Sequence, residues 1–163
     1  MANLLFATAG SKLEIGGPLA FEGTDFVKAD FDTAMASAVV IGGTTNLGSA
    51  GDTSSLITSD QIAVSRTRKA KGTRNAGSME ILCDLDYSDP GQLALIAAEK
   101  TPHSYAFRLT FNDAPAGGTP SQRLFVALVM SVSEQLNEAN NTVKLATTLE
   151  IDSNIVRVAA AEA

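Results

Sequence analysis

Few residues in this chain could carry chemistry, and their spacing decides against most of it. The only histidine, His103, follows Pro102, with no second histidine to join it. It has neither the partners of a metal site nor the oriented base that a nucleophilic triad needs. Asp84, Asp86, Ser88 and Asp89 resemble the opening of a calcium loop. An EF-hand needs Gly at its sixth position and Glu at its twelfth, where this chain has Asp89 and Leu95. Glu80 and Asp84 fall on one strand face as a carboxylate pair, but no pocket can be named around them. The stretch GGTTNLGSAGD (42–52) is glycine-rich, yet it lacks the Lys-Ser/Thr of a phosphate loop and the long strand and helix that should flank it. A turn-rich loop is the better reading. What remains is a cluster of cations, Arg66, Arg68, Lys69, Lys71 and Arg74, without the interleaved aromatics that stack nucleic-acid bases. No catalytic, cofactor-binding or metal-ligating residue is assigned, and the chain is read as a non-enzyme.

The bulk properties agree. With 163 residues the chain suits one domain, read as an irregular N-terminal arm (1–37), a core (38–158) and a short tail (159–163). A hydrophobic share of 45% and a charged share of 18% describe a globular protein. The net charge of -6 argues against general affinity for nucleic acid or an anionic membrane. That charge is uneven. Residues 1–60 carry Glu14, Glu22, Asp25, Asp30, Asp32, Asp52 and Asp60 against Lys12 and Lys28, whereas 61–74 carries only the cation cluster. One surface of the chain is therefore expected to complement another, on itself or on a neighbour. Cys83 stands alone, so no intramolecular disulfide forms, and it lies on an apolar strand face as a small hydrophobe. The segment MANLLFATAG lacks the basic start of a signal peptide, and no apolar run approaches the ~20 residues of a spanning helix. A soluble protein from a reducing compartment, with no membrane insertion, is expected.

The elements that would position these residues are mostly strands. Met79, Ile81, Cys83 and Leu85 alternate with Ser78, Glu80 and Asp84. Asp89 then stands as an N-cap, with Pro90 at the first helical position and Gln92 three residues after the cap. That helix is expected from Pro90 to about Lys100, burying Leu93, Ile96 and Ala97. Tyr105, Phe107, Leu109 and Phe111 alternate with Ala106, Arg108 and Thr110. Leu124 to Val132 is apolar on both faces, as in a central strand covered on both sides. Thr142 to Ile151 alternates again, and Ile155 to Val158 makes a last short strand. Upstream, Lys12 to Ile15 reads as a brief strand ended by Gly16-Gly17-Pro18, and Ile57 and then Ile62-Ala63-Val64 as an extended lead into a basic loop. Phe21, Phe26 and Phe31 recur every five residues, which fits neither a strand nor a helix. Their rings pack either on another subunit or on the chain's own core. The fold class is mainly β: an antiparallel barrel or sandwich with one flanking helix.

In this order the features resemble the tail tube (major tail) proteins of long-tailed bacteriophages. The residues that carry the likeness are NLGSAGDTSSLIT (46–58), the basic run 66–77, DPGQLALIAAEK (89–100), and the meander from SYAFRLTFND through NTVKLATTLEIDSNIVRV. The resemblance implies a fold shared with the tube subunits of contractile injection systems. It also implies hexameric rings stacked into a hollow tube, through which the tape-measure protein and then DNA pass. The protein would be a virion component of the tail, assembled in the host cytoplasm, and would need no cofactor. On that resemblance Glu80, Asp84, Thr148 and Glu150 are candidates to line the lumen. Arg66, Arg68, Lys69, Lys71 and Arg74 are candidate inter-subunit contacts. A secretion-system tube subunit and a β-sandwich binding module are the alternatives; the lack of tryptophan weighs against a sugar-binding platform.

Overall fold

The computed structural model describes residues 5–162. Its strands and helices, in chain order, are β1 (Lys12–Pro18), a 3-10 turn (Lys28–Phe31) running into the short helix α1 (Asp32–Met35), β2 (Val39–Val40), β3 (Thr44–Asn46), β4 (Thr53–Ser59), β5 (Arg68–Asn75), β6 (Ser78–Asp84), α2 (Pro90–Glu99), β7 (Tyr105–Thr110), β8 (Gln122–Gln135), β9 (Lys144–Ile151) and β10 (Val156–Val158). The main sheet runs β2-β1-β7-β8-β9-β6-β3, with β10 pairing the start of β8, and β4 and β5 form a separate two-stranded sheet. Every pairing is antiparallel. The mainly β architecture with a flanking helix is the expected one.

Strand alternation sorts the side chains into two apolar clusters on opposite faces of the sheet. On one face Leu13, Met79, Ile81, Cys83, Phe107, Phe125, Leu145 and Leu149 form the main core, capped by Leu95 and Ala98 of α2. Phe107 and Phe125 stand opposite each other on β7 and β8, their rings stacked at 5.7 Å. On the other face Ala106, Leu124 and Val126 pack under Phe31, Ala34 and Met35. β8 is thus covered on both faces along its first half, and the cover comes from its own chain.

The N-terminal region is therefore more than an irregular arm. β1 continues through Gly16 and Gly17 and pairs β7 as far as Pro18↔Tyr105. Gly16 is needed because α1 lies so close: a Cβ there would sit 2.6 Å from the Ala34 carbonyl oxygen. Phe26 meets Phe31 edge-on at 5.2 Å and Phe21 at 5.7 Å. Phe26 also exchanges backbone hydrogen bonds with the Asn154 side chain, at 2.8 and 3.0 Å. Of the two readings of the phenylalanine series, packing on the chain's own core holds for Phe26 and Phe31.

The cap of α2 is as expected, but its buried face is not. Asp89 Oδ2 accepts from the Gln92 backbone N–H at 2.9 Å. The buried residues are Gly91, Gln92, Leu95 and Ala98, whereas Leu93 is 48% exposed and Ala97 is exposed. Gly91 allows the helix to lie on β2, since a Cβ there would come within 2.2 Å of the Val40 carbonyl oxygen. Gln92 is 1% exposed and spends its side chain elsewhere than in a capping box. Its Nε2 donates to the carbonyls of Gly42 and Asp84, both at 2.9 Å, and its Oε1 accepts from the Asp86 N–H at 3.0 Å. One buried polar side chain thus ties the helix to the β2–β3 turn and to the end of β6.

Candidate functional site

Four of the five cations lie on a strand of a hairpin, not on a loop. β5 carries Arg68, Lys69, Lys71 and Arg74 and pairs with β4, while Arg66 and Ile62-Ala63-Val64 belong to the turn between them. The Thr- and Ser-rich segment TSSLITS suits an exposed strand, but beyond Ile57 it has no apolar alternation to mark one. Pairing puts Leu56, Thr58, Lys69 and Lys71 on one face of the hairpin and Ile57, Ser59, Arg68 and Ala70 on the other. Arg74 forms an ion pair with Asp52 at the hairpin base, at 2.6 Å. From residue 53 to 75 every residue except Ser54 and Gly72 is exposed. Leu56 and Ile57 are thus apolar side chains held in water beside a row of cations.

The four lumen candidates fall together. Antiparallel pairing sets Glu80 opposite Thr148, Ser78 opposite Glu150, and Asp84 opposite Lys144. Ser131, Ser133 and Gln135 of β8 extend the same face. On this face, opposite the main core, Glu80, Asp84 and Glu150 are exposed. Asp84 does not act there as a bare charge. Lys144 donates to its carboxylate at 2.6 Å and Thr142 at 2.9 Å. These bonds, that from Lys144 foremost, hold Asp84 below the ordinary carboxylate range.

The remaining chemical candidates are engaged in structure. Asp86 accepts from the Ser88 N–H and hydroxyl, at 2.9 and 2.7 Å, which fixes the turn before α2. Asp89 also accepts from the Gly42 N–H at 3.0 Å. No group of three or more His, Cys, Asp or Glu side chains among the described residues is arranged around a common point. Cys83 is buried in the main core, where desolvation, then Asp89 and Asp84, push its thiol up to about 11. His103 lies exposed between α2 and β7.

No protein-family model matches the chain, and no curated protein matches it by sequence. Solved structures do. The SPP1 tail tube, determined by solid-state NMR and cryo-EM, superposes with a TM-score of 0.64 at 14% identity, over 91% of this chain and 76% of that one. A chain of the anti-feeding prophage baseplate gives 0.69 at 10% identity, over 98% of both chains. A chain from the sheath/tube terminator of the PVC extracellular contractile injection system gives 0.69 at 11% identity, over 98% of this chain and 100% of that one. The chain has the tail-tube fold.

Proposed function

We propose that this chain is a tube subunit, which associates with copies of itself into stacked hexameric rings that form the hollow tube of a phage tail. The observation that carries the reading is the β4–β5 hairpin. Two strands alone in water are at best marginally stable, and this pair exposes Leu56 and Ile57 along its length. A neighbouring subunit would cover those side chains and offer carboxylates to Arg66, Arg68, Lys69 and Lys71. Arg74, already paired with Asp52, would contribute less.

The uncovered polar half-sheet with Glu80, Asp84, Thr148 and Glu150 is then the lumen wall. Its acids repel a phosphate backbone, so DNA and a tape-measure protein pass without being retained. In this role the protein is a non-enzymatic virion component, assembled in the host cytoplasm. The test is charge reversal. Arg66→Glu with Lys69→Glu should leave the thermal melt of the monomer unchanged and abolish tubes seen by negative-stain electron microscopy. Tubes of normal length from that variant would contradict the assignment of the hairpin.

A second reading has its own support. The anti-feeding prophage and PVC chains match more of this chain, and at higher TM-score, than the SPP1 tail tube does. A tube inside a contractile particle would use the same ring-forming surface. Co-purification of the native tube with a contractile sheath would favour it.

A further inference from the structure

Beyond the hairpin, a cleft of about 1010 Å³ opens at one end of the main core. Its floor is apolar, formed by Leu47, Met79, Leu109 and Ile155. Arg123 and Arg157 also line it, standing directly opposite each other on β8 and β10. Like charges at directly opposed positions repel, so this arrangement calls for an anion. Among the described residues neither guanidinium has a carboxylate within 4.0 Å. Asp113 attracts Arg123 from a distance, but the hydrogen bonds of the nearby acids go to other groups. Asp113 accepts from the Ser121 N–H and hydroxyl at 2.8 and 2.6 Å, and Asp52 is held by Arg74. Arg123 lies over the Phe111 ring at 4.7 Å and gives one N–H to the Gln122 carbonyl. The cleft therefore suits a segment that brings both an apolar side chain and negative charge.

This chain has such a segment at its other end. The β8–β9 connection exposes Leu136, 65% accessible, between the exposed acids Glu134 and Glu138. Asn137 holds φ at 52°, which sharpens the turn. β8 runs from beside Arg123 to this tip, which at ~3.3 Å per residue spans up to about 43 Å. The tip cannot reach its own cleft. Ile62 and Val64, exposed between β4 and β5, are followed by Arg66 and Arg68 and would be repelled.

We propose that the Glu134–Glu138 tip of one copy docks in the Arg123/Arg157 cleft of the next. This rests on the self-assembly reading and gives it a polarity, because a head-to-tail contact of unlike surfaces can propagate along a ring or a stack. The test uses two charge-reversed full-length proteins, Arg123→Glu/Arg157→Glu and Glu134→Lys/Glu138→Lys, each checked for folding by its thermal melt. Each alone should raise the critical concentration for assembly at least about tenfold over the unmodified protein, through opposed like charges. Mixed in equal amounts they should co-assemble, since each tip then meets a cleft of opposite sign. If the Arg123 change disturbs its packing on Phe111, the exposed Arg157→Glu alone serves in its place. Normal assembly of either variant alone, or a mixture of folded variants that stays unassembled, overturns the docking while leaving the self-assembly reading intact. Failure of the unmodified protein to assemble overturns both.

Discussion

Removing Gln92 should loosen α2 more than removing any exposed apolar residue of the same helix. The side chain is 1% exposed and makes three hydrogen bonds, at 2.9, 2.9 and 3.0 Å, to three backbone segments. A hydrogen bond contributes roughly 1 kcal/mol net, and a buried partner left unsatisfied costs about 1–3 kcal/mol. The Gly42 and Asp84 carbonyls and the Asp86 N–H are only partly buried, so the lower figures apply. Gln92→Ala should then cost about 3 kcal/mol in total. For a domain of this size that lowers Tm by about 6–12 °C. Gln92→Met keeps the length and volume but makes none of the three bonds, and it should lose most of the same stability. Differential scanning calorimetry of both variants reads the effect. A shift below about 2 °C for the alanine variant, or a wild-type Tm for the methionine variant, would refute the role given to these bonds.

Three further outcomes follow from the same geometry. Leu95 is fully buried and Leu93 is 48% exposed, so Leu95→Ala should cost about 2–5 kcal/mol in denaturant unfolding while Leu93→Asp leaves the protein folded and soluble. Thr147 is 2% exposed, with its hydroxyl unpartnered between the strands of the main core. Thr147→Val should therefore stabilise the chain by about 1 kcal/mol, seen as a higher Tm. Asp84 is held below its ordinary value of 3.8 by Lys144 and Thr142. Its contribution is therefore present in full above that value and is lost as pH falls through the depressed folded-state value. Asp84→Asn should lower Tm slightly at pH 7 and not at all once the pH is below the folded-state value. An equal effect at both would contradict the pairing.

How much the sequence discloses depends on whether an element buries a face in its own chain. β6, β7, β8 and β9 each press one or both faces into a core, so Met79, Ile81 and Cys83, or Leu145 and Leu149, stand out by alternation. The start of α2 is equally legible, because Asp89 and Pro90 act locally. Its buried face is not, since apolar residues surround the helix and two of the buried positions are Gly91 and Gln92. Gly91 is inside because the backbone of β2 comes so near, and Gln92 because three backbone groups converge on it; neither cause leaves a hydrophobic period. Gly16-Gly17 reads as a stop for a similar reason: Gly16 clears space for α1, a contact distant in sequence. Of the β4–β5 hairpin, Ile57 marks an extended segment, but β5 reads as a basic loop because it has no core in this chain to impose a pattern. The charged face of β6 and β9 was readable as a face, and its pairing of Glu80 with Thr148 and Asp84 with Lys144 followed from register alone.

The proposed tube is tested most directly by negative-stain electron microscopy of the purified, full-length protein, fresh and after concentration. The account predicts rings or hollow tubes of uniform width, with sixfold symmetry in end-on class averages. Monomers that persist at high concentration, or aggregates of irregular width, would contradict it.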